Sequence, residues 1–123
     1  MRSLLAPSLG ATLLLSLAGC MEAGSPTGPG IEGPLAPPVP RDERSHGMFE
    51  QITGINGDAV SAVSGDARRS YIYFDFFAAQ KPAVTAAPAK LCASYGKGLK
   101  SSYVTEPSDR EPGLKVLVVD CTT

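Results

Sequence analysis

The chain has 123 residues, 11 basic and 12 acidic, with one histidine, three cysteines and no tryptophan. That length bounds it to one small domain. The near-balanced charge gives no basic surface to attract nucleic acid, and no nucleic-acid partner is expected.

The first element is apolar. Arg2 is the only charge ahead of Leu4 to Ala18, a run dominated by Leu and Ala. It is too short for a transmembrane helix, which needs about 20 apolar residues to cross about 30 Å of hydrocarbon. It reads as a secretory signal over residues 1–19. The run ends Leu17-Ala18-Gly19-Cys20, which resembles the lipobox of bacterial lipoproteins: a leucine, two small residues and a cysteine. The resemblance implies cleavage before Cys20, a diacylglycerol thioether on its sulfur and an acyl group on the new amine. Small residues let a protease reach the backbone, and only a thiol can become the thioether. Several acyl chains, at about 0.8 kcal/mol per buried methylene, hold a bilayer far more firmly than one. Met21 follows where retention in the inner membrane favours Asp, so the resemblance implies an outer-membrane protein facing the periplasm. Loss of residues 1–19 removes Arg2 alone and leaves 10 basic against 12 acidic residues, a net charge of −2.

Residues 20–44 read as a linker. Between Met21 and Pro40 stand six prolines and four glycines. Proline removes backbone donors and glycine raises the entropy to be lost on folding. Gly33 to Pro40 is dense enough in proline to favour polyproline II. Pro34, Pro37 and Pro40 also form a PxxP pattern, which spacer composition produces by chance more often than a groove ligand does. The charged run Arg41-Asp42-Glu43-Arg44 ends the linker, and residues 45–123 are the expected domain.

Phe49 to Gly57 begins it with an apolar segment closed by the turn signal Asn56-Gly57-Asp58. Ala59 to Ser64 predicts a strand, and Gly65-Asp66 a turn. Ser70 to Phe77 is the densest run of β-formers and predicts a central strand. Ile72, Phe74 and Phe76 share one face, and Tyr71, Tyr73, Asp75 and Phe77 the other. Lys81 to Tyr95 predicts a helix with Thr85 as N-cap and Pro88 in its first turn, closed by Gly96. Leu91, Cys92 and Tyr95 fall on its apolar stripe. Leu99 to Thr105 is a weaker strand, and Glu106 to Gly113 a solvated loop. Leu114 to Cys121 closes the chain as a strand, with Lys115, Leu117, Val119 and Cys121 on one face. The expected fold is α+β: an antiparallel or mixed sheet of four to five strands with one helix on a face.

Domains under 80 residues often need a staple. With Cys20 acylated, Cys92 and Cys121 remain, and in an oxidising compartment a disulfide is the simplest pairing; two separate buried thiols are the alternative. A bond between them pins the helix to the last strand. The pattern LCASYGK…VLVVDC, together with Cys20, resembles small proteobacterial envelope lipoproteins. That resemblance brings no active site with it.

No catalytic constellation is legible. His46 is the only histidine and has no ligand-spaced His or Cys beside it, so no metal is expected. No nucleophile motif occurs. Tyr95-Gly96-Lys97-Gly98 lacks phosphate-loop spacing and reads as a helix stop. Arg68-Arg69 reads as a solvated hairpin loop. Asp75, set among aromatics, has a raised pKa only if buried. No cofactor is expected. The expected function is a non-enzymatic anchored module, joined to the lipid bilayer through acylated Cys20 and binding an envelope protein or cell-wall partner. The alternative is a small-ligand-binding or hydrolase-inhibitor domain. Tyr71, Tyr73 and Phe77 form the candidate binding face. An exposed patch favours a protein partner and a closed pocket a ligand, while a wholly buried set makes them core.

Overall fold

The computed structural model describes residues 31–123. The signal segment, Cys20 and the linker up to residue 30 lie outside the described residues. Helix α1 is His46–Thr53, followed by a 3-10 turn at Gly57–Ala59. Strands β1 (Val60–Gly65) and β2 (Arg69–Asp75) come next, then helix α2 (Lys81–Ser94), β3 (Leu99–Thr105) and β4 (Leu114–Cys121). All pairings are antiparallel, in one sheet ordered β1-β2-β4-β3. β4 is the last strand in the chain, yet it inserts between β2 and β3. The sheet is therefore a β1–β2 hairpin and a β3–β4 hairpin joined edge to edge, with α2 as the crossover. The α+β expectation holds with four strands, and β2 is a central one.

Both helices lie on one face. Ile72 and Phe74 of β2 point to it, as do Leu117, Val119 and Cys121 of β4. Alternate residues of a strand point the same way, so the expected faces of β2 and β4 are the observed ones through Asp75 and Cys121. Against them pack Phe49 from α1, Ile55, and Ala87, Leu91 and Cys92 from α2.

The second helix, α1, corrects the expectation of one. Ser45 begins it: its Oγ accepts from the Met48 N–H at 3.2 Å, satisfying one of the donors that a helix start leaves open. Gly54 closes it. The boundary of α2 also differs. It starts at Lys81, four residues before Thr85, because Pro82 presets the first turn where a missing N–H is harmless. The Thr85 hydroxyl bonds back to the Lys81 carbonyl instead of capping. Pro88 stands inside the helix, on its buried side. The stop is as expected. Gly96, at φ +75°, donates to Ala93 O, and Lys97 donates to Cys92 O, which together close the last turn.

Cys92 and Cys121 form a disulfide, with Cα atoms 5.5 Å apart. It ties the buried stripe of α2 to the end of β4. A loop of 29 residues closed this way stabilises by about 3–4 kcal/mol in the chain-entropy model.

The opposite face of the sheet carries Tyr73, Val116 and Val118, and among the described residues no helix covers it. Residues 32–44 do. They cross the sheet as a strap, so the packed region begins well before Ser45. Ala36, only 2% exposed, sits on Tyr73, Val116 and Val118. Its N–H donates to Glu106 O at 2.9 Å, and its carbonyl accepts from Ser108 at 2.8 Å. The Tyr73 hydroxyl donates to Pro37 O at 3.0 Å. Gly33 lies flat on Tyr103, where a Cβ would stand 2.7 Å from the ring. Proline lacks a donor, so a strap rich in it leaves fewer buried N–H groups to satisfy.

The strap is fastened at both edges of the sheet. On β3, Glu32 N–H donates to Val104 O at 2.7 Å, and Glu32 Oε1 accepts from Val104 N–H at 2.9 Å. On β1, Asp42 Oδ2 accepts from Val63 N–H at 3.1 Å, and the Arg44 guanidinium donates to Val63 O at 2.6 Å. Asp42 and Arg44 also pair with each other at 2.6 Å, and Arg44 lies over the Phe49 ring at 5.6 Å. The hydrogen bond from Arg44 holds the Asp42 carboxyl at a pKa of about 2, below its usual 3.8.

Two outcomes follow from this packing. Tyr73→Ala opens a cavity between sheet and strap. It should cost about 3–5 kcal/mol, lowering the thermal midpoint by more than about 10 °C, whereas Tyr73→Phe should cost about 1 kcal/mol. An unchanged midpoint in Tyr73→Ala would show that the strap does not cover this ring. The second outcome concerns pH. The folded pKa of Asp42 lies below its unfolded value, so its stabilisation is present above about pH 4 and is lost as pH falls toward 2. Acid titration of Asp42→Asn by circular dichroism should show lower stability at neutral pH and a shallower decline across that window. A slope equal to the parent's would refute the clip.

Candidate functional site

Tyr71, Tyr73 and Phe77 do not form one surface. Tyr73 is 0% exposed and belongs to the core. Burial pushes its hydroxyl pKa up. Tyr71 is half-buried beside it and contributes to the same cluster. Phe77 is 84% exposed. It lies past the end of β2, which stops at Asp75, two residues short of the expected end.

Asp75 is the reason. Its Oδ1 accepts from the N–H groups of Phe77 at 2.8 Å and Ala78 at 3.1 Å, and its carbonyl accepts from Ala79. A carboxylate bonding its own downstream backbone makes a turn and ends a strand. Asn56 locks the far side of that turn. Its side-chain amide donates to Ala78 O, and its oxygen accepts from Gln80 N–H. Phe76 N–H donates to Gly113 O at 2.9 Å, joining the turn to the β3–β4 loop. The turn therefore presents Phe76 and Phe77 at one end of the sheet. Their rings meet edge to face, with centroids 5.4 Å apart.

Cations flank this tip. Lys81 Nζ stands 4.6 Å from the Phe76 ring centre and Lys115 Nζ 5.6 Å from it. Lys115 also pairs with Glu106 at 2.8 Å, which holds the Glu106 carboxyl below the usual range. Two open clefts adjoin the rings. One, about 420 Å³, runs between both phenylalanines and the β3–β4 loop at Arg110 and Pro112. The other, about 190 Å³ and mostly apolar, lies between Phe76, Phe74, Val84, Val104 and the start of the strap at Glu32. Phe76, expected on one face with Ile72 and Phe74, shares a cleft with Phe74, borders the other cleft as well and is 36% exposed. Lys81 and Lys115 carry no sequence signal for this role, because only the fold brings them to the same ring.

The opposite end of the sheet is occupied by an ion pair and a carboxylate-bonded turn. Arg69 makes a two-point bond to Asp120 at 2.7 and 2.9 Å, lowering the Asp120 pKa and raising its own. Asp66 accepts from the backbone of Arg68 and Arg69. Arg69 is thus committed within the fold. His46 is exposed at the start of α1. Among the described residues no group of three His, Cys, Asp or Glu could hold a metal, and no helix is long and apolar enough to cross a membrane. No protein-family model, curated protein or solved structure matches the chain.

Separate roles for the two aromatics give a direct check. Phe77→Ala removes a solvent-facing ring, so its thermal midpoint should stay within about 2–4 °C of the parent, as surface changes do. A fall as large as that of Tyr73→Ala would mean the Phe77 ring is packed in solution.

Proposed function

We propose that this chain is an exported lipoprotein, acylated at Cys20, whose domain acts without catalysis by making contact through its Phe76–Phe77 end. Anchoring rests on the Leu17-Ala18-Gly19-Cys20 ending of a short apolar run. The Cys92–Cys121 disulfide supports export, because such bonds persist in oxidising compartments. The contact reading rests on Phe77. A ring 84% exposed in so small a domain is a large apolar area withheld from the core. Aromatic rings dominate contact sites because they bury much area at little entropic cost. An enclosed ligand site would need the aromatics to line it. Tyr73 is core and Phe77 faces solvent, which supports a larger partner over a small ligand. The domain would work at the outer membrane, on its periplasmic side.

Cys20→Ala tests the anchor. The parent, expressed in a lipoprotein-processing bacterium, should fractionate with membrane and carry an acyl mass addition at an N-terminal Cys20. The variant should lack both. A parent of unmodified mass would end the anchoring reading.

A further inference from the structure

We infer that the Phe76–Phe77 tip seats on the lipid surface itself, as a second membrane contact beside the acylated cysteine. This rests on the anchoring reading above. The argument starts from where the chain leaves the fold. Glu32 begins the strap on the outer edge of β3 and lines the same apolar cleft as Phe76. The path to Cys20 therefore departs beside the aromatic tip, not from the Leu99 end of the sheet. Residues 21–31 separate the two, and eleven residues span at most about 40 Å. A bilayer that holds Cys20 is thus within about 40 Å of the point where the chain leaves the fold, on the side of the tip.

The chemistry of the tip fits a bilayer interface. Two adjacent phenylalanines project from a turn that Asp75 and Asn56 hold rigid. Little conformational freedom is lost when such a turn docks. Lys81 and Lys115 hold their ammonium groups over the Phe76 ring, Lys115 being paired with Glu106, and the flexible stem of Lys81 lets its ammonium turn to a lipid phosphate. The charges around the two clefts balance: Lys81, Arg110 and Lys115 against Glu32, Glu106 and Glu111. Seating is therefore driven by apolar transfer, and it should depend only weakly on salt and on anionic lipid.

The cysteine pattern supplies a test that does not need cellular acylation. With Cys92 and Cys121 bonded to each other, Cys20 is the one remaining thiol of the chain. Residues 20–123, which retain every described residue, can be coupled through Cys20 to vesicles of phosphatidylethanolamine and phosphatidylglycerol carrying a maleimide lipid. The chain has no tryptophan, so F77W and L99W each give a single reporter. Both sites are exposed, and Leu99 lies at the opposite end of β3 from the tip. Interfacial anchors bury apolar groups about 5–10 Å deep. F77W should show a blue-shifted emission and several-fold stronger quenching by acyl-brominated lipid than L99W. Equal quenching at the two sites, or solvent-like emission from F77W, overturns the lipid contact and leaves the tip to an envelope protein. The acyl mass of the exported parent is read separately. An acylated parent with a solvent-exposed F77W defeats this inference alone. A lipid-buried F77W on a chain that the cell does not acylate supports the tip's affinity and defeats the anchor.

Discussion

A four-stranded open sheet has two faces and two edges, and here both faces carry buried apolar residues and so need cover. Here the two helices take one face only. Everything else depends on the strap from Glu32 to Arg44. Its apolar contacts at Ala36 and Val39, with the Pro37 carbonyl accepting from Tyr73, cover the second face. Its ends satisfy the outward N–H and C=O of one residue on each edge strand, Val104 and Val63. An unpaired edge invites another chain to add a strand, and here both edges are partly filled by side chains and backbone of the same chain. One irregular segment of 13 residues thus does what a second helical layer or a closed barrel does in larger proteins.

The two faces are held by different means. On the helix side, large aliphatic side chains interdigitate and the Cys92–Cys121 bond fixes α2 to β4. On the strap side the apolar area is smaller, and polar fastenings do more. Asp42 and Glu32 accept backbone hydrogen bonds at the edges, and Arg44 reaches the Phe49 ring on the helix side. Arg44 therefore touches both layers. A guanidinium has several donors and a flat face, so it can bond Asp42 and Val63 while stacking on an aromatic, which a lysine could not do at once.

Regular elements were legible because their residues repeat. Val116, Leu117, Val118 and Val119 alternate faces in β4, and Gly96 stops α2 where a left-handed residue is required. The strap was not legible for the opposite reason. Pro34, Pro37, Pro38 and Pro40 carry the composition of a spacer, and what docks them is Tyr73 and Glu106, more than 30 residues away in sequence. Composition reports what a segment can do alone, not what surface it will meet. The same limit applies to β2. Phe76 and Phe77 extend its apolar alternation, yet two hydrogen bonds to Asp75 turn the chain before them. The signals for α1 were present in Ser45 and Gly54, but the helix is only 8 residues long. So short a helix owes its stability to packing of Phe49 rather than to propensity.

That turn at Asp75 also separates structural from functional need. Phe76 stays on the helix side, against Lys81 and in one cleft with Phe74 and Val84, whereas continued alternation of β2 would have turned Phe77 toward the strap face that holds Tyr73. Burial of Phe77 there would have added apolar area to a domain that has little to spare. Instead Asp75 and Asn56 use four hydrogen bonds to hold a turn that leaves Phe77 in solvent. The core is complete without the Phe77 ring, since Tyr73 and Phe74 already close β2 at 0% and 2% exposure. The packing of Phe77 is confined to its edge-to-face contact with Phe76. The fold thus builds a turn whose outer ring touches Phe76 edge to face and otherwise stands in solvent.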